Sequence, residues 1–236
     1  MSSGIYIATA GAVAQTAALD ATANNIANAS TAGFRGDRIS FQEALGAAQS
    51  ADFALVNTGR TTLDSQAGAM MQTGNPLDLA LESDGMFAVD TPAGPRYTRA
   101  GNFQVDSERR IVTSDGLLVR GTGGPITIPP DAKVVAVSPD GMITADNEEI
   151  GQLELVRFAP TQLTREGASL FAARGTPVAG DLPKVQSGML ESSNVNVVRG
   201  VVELIKVSRT YESLMRMIQG YHDVEGRAAR ELGGPK

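Results

Sequence analysis

Ala23-Asn24-Asn25-Ile26-Ala27-Asn28-Ala29-Ser30-Thr31-Ala32-Gly33-Phe34-Arg35 is the stretch on which the architecture turns. Asn24, Asn25 and Asn28 close an alanine-rich run, where side-chain amides can satisfy orphan helix carbonyls. Asn28 also suits the left-handed conformation of a residue just past a helix. Ser30 and Thr31 favour local side-chain turns, Gly33 permits positive φ, and Phe34 can anchor the exit. The stretch is therefore a fixed exit from a helix into extended chain. It predicts that a β-branched residue at Gly33 strains the joint and leaves the rest of the fold untouched.

Upstream, the pattern predicts a helix from about Gly4 to Ala27. Ile5, Ala12, Leu19 and Ile26 recur every seven residues, with Ala8, Gln15 and Thr22 between them at heptad d spacing. Alanine favours helix, and its small side chain lets another helix come close. At the other end, Leu204, Val207, Tyr211, Leu214, Ile218 and Tyr221 form a second apolar seam, with Glu203, Lys206, Arg209, Glu212 and Arg216 on other faces. Asn194 or Asn196 can cap that helix, Gly226 can stop it, and Gly233-Gly234-Pro235 reads as a frayed tail. Neither helix can bury its stripe alone. The two predict a coiled-coil pair, parallel or antiparallel.

Between them the chain changes character. Every proline except Pro235 falls from Pro76 to Pro183, which bars long helices there. Residues 1–35 are net neutral and residues 197–236 net +2, leaving −8 for the middle of a chain whose total is −6. Asp84-Gly85, Asp115-Gly116 and Asp140-Gly141 each precede an apolar run, the pattern of a hairpin turn with positive φ at glycine. Arg96–Thr98, Phe103–Val105, Ile126–Ile128, Lys133–Val137 and Leu153–Phe158 are further strands. The fold class is α+β: terminal helices pairing as a coiled-coil module around a central all-β barrel or sandwich-like domain. The boundaries predicted are 1–35 plus 197–236 for the helical module, 36–75 for an extended linking segment, and 76–196 for the β domain.

Composition removes most chemistry. Among 236 residues there is no cysteine and only His222, so thiolate sites, a multi-histidine metal site and a credible Ser-His-Asp triad are all excluded. An acidic chain with no basic cluster does not suit nucleic acid. Asp140, Asp146, Glu148 and Glu149 lack calcium-loop spacing, and Gly121-Thr122-Gly123-Gly124 lacks the Lys-Ser/Thr of a phosphate loop. Asp78 and Glu82 have no aromatic-lined cleft around them and read as surface charge. No run approaches the 18 or so apolar residues of a membrane span, and the N-terminus has no signal-peptide pattern. The chain is expected to have no catalytic residue, no cofactor and no metal.

The helix-exit stretch closely resembles the signature of the bacterial flagellar rod and hook proteins. The resemblance continues through Gly85-Met86-Phe87-Ala88-Val89, Arg96-Tyr97-Thr98-Arg99-Ala100-Gly101-Asn102-Phe103, Val112-Thr113-Ser114-Asp115-Gly116 and Leu190-Glu191-Ser192-Ser193-Asn194-Val195-Asn196. It covers essentially the whole chain, and within the family the length and the C-terminal helix look most like the F-type proximal rod protein, with the G-type distal rod protein as rival. One departure is Ser107-Glu108-Arg109-Arg110, where relatives often carry Asp/Asn-Gly. The resemblance implies a structural subunit that stacks helically into the periplasm-spanning rod and carries torque to the hook. Its partners would be copies of itself, other rod proteins and the flagellar type III export apparatus, which delivers such chains without cleavage. Ile5, Ala12, Leu19, Ile26, Leu204, Val207, Tyr211, Leu214, Ile218 and Tyr221 would carry subunit packing, and Asn24, Asn25, Asn28, Gly33 and Phe34 would set the joint between modules. The other reading from the residues is a β-domain cell-wall binding module with a coiled-coil oligomerisation handle.

Overall fold

The computed structural model describes residues 3–40 and 60–232. The predicted linking segment 36–75 lies in part outside the described residues, and the predicted tail at 233–235 wholly so. Two compact units emerge. One holds Asn28–Gly36 and Leu63–Val195; the other holds the described residues of Met1–Ala27, Asp37–Thr62 and Asn196–Lys236.

The second of these is the helical unit. Its first helix, α1, runs Ser3–Ala27, and its second, α2, runs Val197–Leu232. Asn196 is the cap of α2: its Oδ1 accepts the Arg199 N–H at 3.0 Å, three residues into the helix. Asn194 serves elsewhere. Gly226 does not stop α2, which continues through Gly220 and Gly226 to Leu232. An interior glycine costs a helix only about 1 kcal/mol, and no positive-φ cap forms there. The helices run antiparallel. A Cβ on Gly4 would meet the Tyr221 hydroxyl at 2.6 Å, one on Gly11 the Leu214 side chain at 3.3 Å, and one on Gly200 the Ile26 side chain at 2.8 Å. The short strand Asp37–Ser40 also packs on α1 and pairs with Arg60–Leu63.

The β unit is built around a nine-stranded sheet. Its path runs Leu163–Arg165, Leu170–Ala173, Gly94–Thr98, Met86–Thr91, Leu118–Gly121, Ile111–Val112 and Gln104–Val105. This sheet does not close into the expected barrel: its end strands, Leu163–Arg165 and Gln104–Val105, do not pair. The physical reason lies in Met86–Thr91. One edge of it pairs along its length with Gly94–Thr98, while the other is shared between Leu155–Val156, at Phe87 and Met86, and Leu118–Gly121, at Val89 and Asp90. A sheet that forks at its central strand, with flanking strands of two to five residues, has no continuous stagger with which to close. Beside it lie a three-stranded sheet of Val135–Val137, Met142–Ala145 and Glu148–Gln152, and two-stranded pairs that bring Val185–Ser187 to Leu79–Leu81 and Met189–Glu191 to Met70–Gln72.

The core of this unit is aliphatic, with Phe87 and Phe103 meeting edge to face at 5.1 Å between Leu81, Val89, Ile111 and Ile143. The Asp-Gly turns at 115–116 and 140–141 form as expected, with Gly116 at φ 79° and Gly141 at φ 82°. Asp84-Gly85 does not: Gly85 has no positive φ, and instead lies flush against Pro183, where a Cβ would come within 2.4 Å of the ring. At the Ser107–Arg110 departure, Arg109 itself adopts φ 65°, and Asp106 Oδ1 accepts the N–H groups of Glu108 and Arg110. That turn sets the register Val105 to Ile111 and Gln104 to Val112.

Candidate functional site: helix pair and helix exit

Among the described side chains, Ala8, Ala12, Ala14 and Ala18 are buried on α1 and Val207 on α2. Ile5, Leu19, Ile26, Leu204, Tyr211, Leu214, Ile218 and Tyr221 are half-buried, and Ile26, Leu214 and Tyr221 lie over glycines of the opposite helix. The glycines at that interface went unread in the sequence, although Gly4 and Gly11 stand seven apart. The opposite faces are more unusual. Val198 is 74% exposed and Val202 62%, and Val197, Val201 and Ile205 are exposed beside them. Tyr6, Ile7 and Val13 are exposed on α1. Five open β-branched residues within nine positions of a helix make an apolar surface of the kind soluble monomers avoid.

At the exit, the Asn25 amide grips the Asp37 backbone twice, its Nδ2 donating to the carbonyl at 2.8 Å and its Oδ1 accepting the N–H at 2.8 Å. Asn24 is half-buried on the last turns of α1. Asn28, which would tolerate the left-handed conformation, does not take it; its carbonyl and Oδ1 accept the Thr31 N–H and hydroxyl. Gly33 is the left-handed residue, at φ 65°. A Cβ there would lie 2.4 Å from Ala100 N and from Arg99 C. Its N–H donates to the Glu191 carbonyl at 2.7 Å. Phe34 is 1% exposed, with the Arg165 guanidinium 4.7 Å above its ring. Gly33 and Phe34 are thus packed into the β unit, and the expectation that strain at Gly33 spares that unit does not hold.

Below them lies a charged cluster that sequence reading missed. Glu191, 2% exposed, receives Arg35 Nη2 on Oε1 at 3.0 Å, Gly68 N–H on the same oxygen at 3.1 Å, and Arg99 Nε on Oε2. Arg99 donates three more bonds, from Nη1 and Nη2 to the carbonyls of Leu81, Ser83 and Gly85. Burial pulls the Arg99 guanidinium below the usual arginine value, and the Glu191 carboxylate opposes that shift. The two arginines and the glutamate are far apart in sequence, each inside a quoted motif, and single-sequence spacing carries no signal that they meet.

This arrangement positions chain; it does not offer reacting groups to a substrate. Among the described residues no group of three or more His, Cys, Asp or Glu could hold a metal, and no helix is long and apolar enough to cross a membrane. Asp78 Oδ1 accepts from Asn75 and Glu82 Oε1 from Gln186, both at the surface.

Comparison with known proteins accounts for these features. Three family models match: the flagella basal body rod protein over residues 5–35, the flagellar hook protein FlgE/F/G D1 domain over 80–145, and the flagellar basal body rod FlgEFG protein C-terminal region over 186–231. The chain belongs to the flagellar basal-body rod protein family, a structural family and not one of enzymes. Near-full-length similarity runs to both types, FlgG of Agrobacterium fabrum being 34% identical over 97% of this chain and 98% of its own. The flagellar basal-body rod protein FlgF of Rhizobium meliloti is 32% identical over the whole of both chains, and that of Escherichia coli 36% identical over 98% of this chain and 99% of its own. FlgG of Bacillus subtilis is 33% identical over 85% of this chain and 88% of its own. The chain is a structural subunit of the flagellar basal-body rod.

Proposed function

We propose that this chain is the F-type subunit of the proximal rod, polymerising helically with copies of itself and other rod proteins to carry torque from motor to hook. The antiparallel α1–α2 pair packs as a coiled coil and forms the axial module together with its neighbours' helices. Export through the flagellar type III apparatus without a cleaved leader, and a position spanning the periplasm, follow the same reading. The observation that carries it is the exposed β-branched face Val197, Val198, Val201, Val202 and Ile205 on a long helix. The seam residues Ile5 to Ile26 and Leu204 to Tyr221 close the pair and present it to neighbours.

The test is Val198→Asp with Val202→Asp. Both positions are exposed in the single chain, so the purified variant should melt like wild type, while cells carrying it build no rods and do not swim. Normal swimming would sink the assignment of this face. The similarity to FlgG sustains a distal-rod reading beside it. Complementation decides between them: an F-type reading requires rescue of a strain lacking its F-type protein and no rescue of one lacking the G-type protein.

A further inference from the structure

The β unit joins the rest of the chain at four peptide bonds, 27/28, 36/37, 62/63 and 195/196. Beside three of these, the backbone is tied at one point inside the unit. Gly36 N–H donates to Asn194 Oδ1 at 2.8 Å, and Asp64 N–H donates to the Gly36 carbonyl at 2.8 Å. Asn194 Nδ2 donates to the carbonyls of Asp64 at 3.4 Å and Gln66 at 2.9 Å, and Asn194 N–H to Phe34 O at 3.3 Å. One primary amide supplies an acceptor and two donors, which a carboxylate or hydroxyl of similar size cannot do. Three residues away, Glu191 holds Gly33 by its carbonyl and Arg35 by its carboxylate. These partners of Glu191 and Asn194 lie 128 to 160 residues away along the chain, whereas Gly36 and Asp64 are 28 apart. The local bonds of the exit, Thr31 N–H to Asn28 O and Phe34 N–H to Thr31 O, reach no further than three residues.

We propose that Glu191 and Asn194 form a clasp, and that residues 33–36 are a strap which closes fully only when the strand Met189–Glu191 has paired with Met70–Gln72 within the β unit. The Gly36 carbonyl and the Arg35 guanidinium find Asp64 N–H and Ser65 O nearer along the chain, but the Gly33 N–H, the Phe34 carbonyl and the Gly36 N–H are held by Glu191 and Asn194, and for these loop closure over more than a hundred residues must come first. The helix exit is then the last part of the β unit to order and the first to open, a local unit with lower stability than the sheet behind it. The inference goes beyond the rod reading and holds for the isolated chain.

The test is residue-resolved hydrogen exchange on the full chain, comparing wild type with Asn194→Ala and Asn194→Asp. Alanine removes all three side-chain bonds. Aspartate keeps the acceptor for Gly36 and turns a second carboxylate oxygen toward two carbonyls. Both should speed exchange at Gly33, Gly36 and Asp64 by about tenfold or more, with the Phe87 to Val89 amides unchanged. In wild type, pulse labelling during refolding should protect Gly33 and Gly36 together with Met189–Glu191 and after Met86–Thr91. Strap amides protected before the Met189–Glu191 strand would overturn the proposal. So would strap exchange unmoved by either variant, or core amides accelerating as much as the strap.

Discussion

Gly33→Ala is the sharpest probe of the helix exit, because the structure assigns it two separable costs. Alanine at φ 65° takes a left-handed conformation worth about 1–2 kcal/mol. Its Cβ would also sit 2.4 Å from Ala100 N and Arg99 C, both backbone atoms just past the strand Gly94–Thr98. Backbone cannot rotate aside as a side-chain tip would, so overpacking adds about 1–3 kcal/mol. The sum is about 2–5 kcal/mol, which at about 2–4 °C per kcal/mol lowers the melting temperature by roughly 5–20 °C. Gly74→Ala provides the control: Gly74 has φ 78° and nothing within 4 Å of where the new methyl would stand, so only the conformational cost applies. The assay is paired thermal and urea unfolding of the two purified variants. Equal losses at 33 and 74 would refute the close approach to residues 99–100. A Gly33→Ala stability within about 0.5 kcal/mol of wild type would refute the left-handed conformation as well.

Three further outcomes follow from the same reasoning. Glu191→Gln leaves two guanidinium groups facing an uncharged amide in a buried cluster, and urea unfolding should show a loss of about 3–5 kcal/mol; a loss under about 1 kcal/mol would mean the cluster is solvated. Asp106, whose carboxyl is held below its ordinary value of 3.8 chiefly by the Arg110 backbone N–H, contributes stability that is present above pH 3.8 and lost as pH falls through its lower folded value. Asp106→Asn should therefore flatten the fall of melting temperature with pH below about 4, and an unchanged slope would remove Asp106 from the turn. Leu214→Asp places a carboxylate over Gly11 at the α1–α2 contact and should cost several kcal/mol of helix pairing, about 2–5, seen as lost helical circular dichroism, whereas exposed Arg216→Ala should stay within about 0.5 kcal/mol.

The terminal helices were legible because their signals are local: heptad spacing, alanine content and an asparagine cap all act within a few residues. The same holds for the turns at Gly116 and Gly141. Where the sequence misled, a distant partner decided. Asp84-Gly85 carries a hairpin signature, yet Gly85 is small because Pro183 lies against it. The strands Val185–Ser187 and Met189–Glu191 were not anticipated, since each has three residues and takes its pairing from Leu79–Leu81 or Met70–Gln72; the short hairpin Leu163–Arg165 with Leu170–Ala173 was missed too, and its second strand joins the sheet at Gly94–Thr98. Gly226 looked like a stop because glycine is common just past helices, but its propensity cost is too small to end a helix by itself.

The exit motif shows how a local reading can be right about conformation and incomplete about cause. Gly33 was expected at positive φ to aim the chain, and it does adopt that conformation. Local geometry alone would tolerate several residues there with modest strain, asparagine above all. What admits only glycine is the flat contact with residues 99–100 of the β unit, and what holds that contact is a hydrogen bond to Glu191 from the far end of the chain. The apparent joint is therefore part of a folded body, and a substitution in it must be scored on stability before any effect on rod assembly is read. The face at Val198 and Val202 has the opposite character, since both side chains are exposed among the described residues. Variants there separate assembly from folding in a way that no variant at Gly33 can.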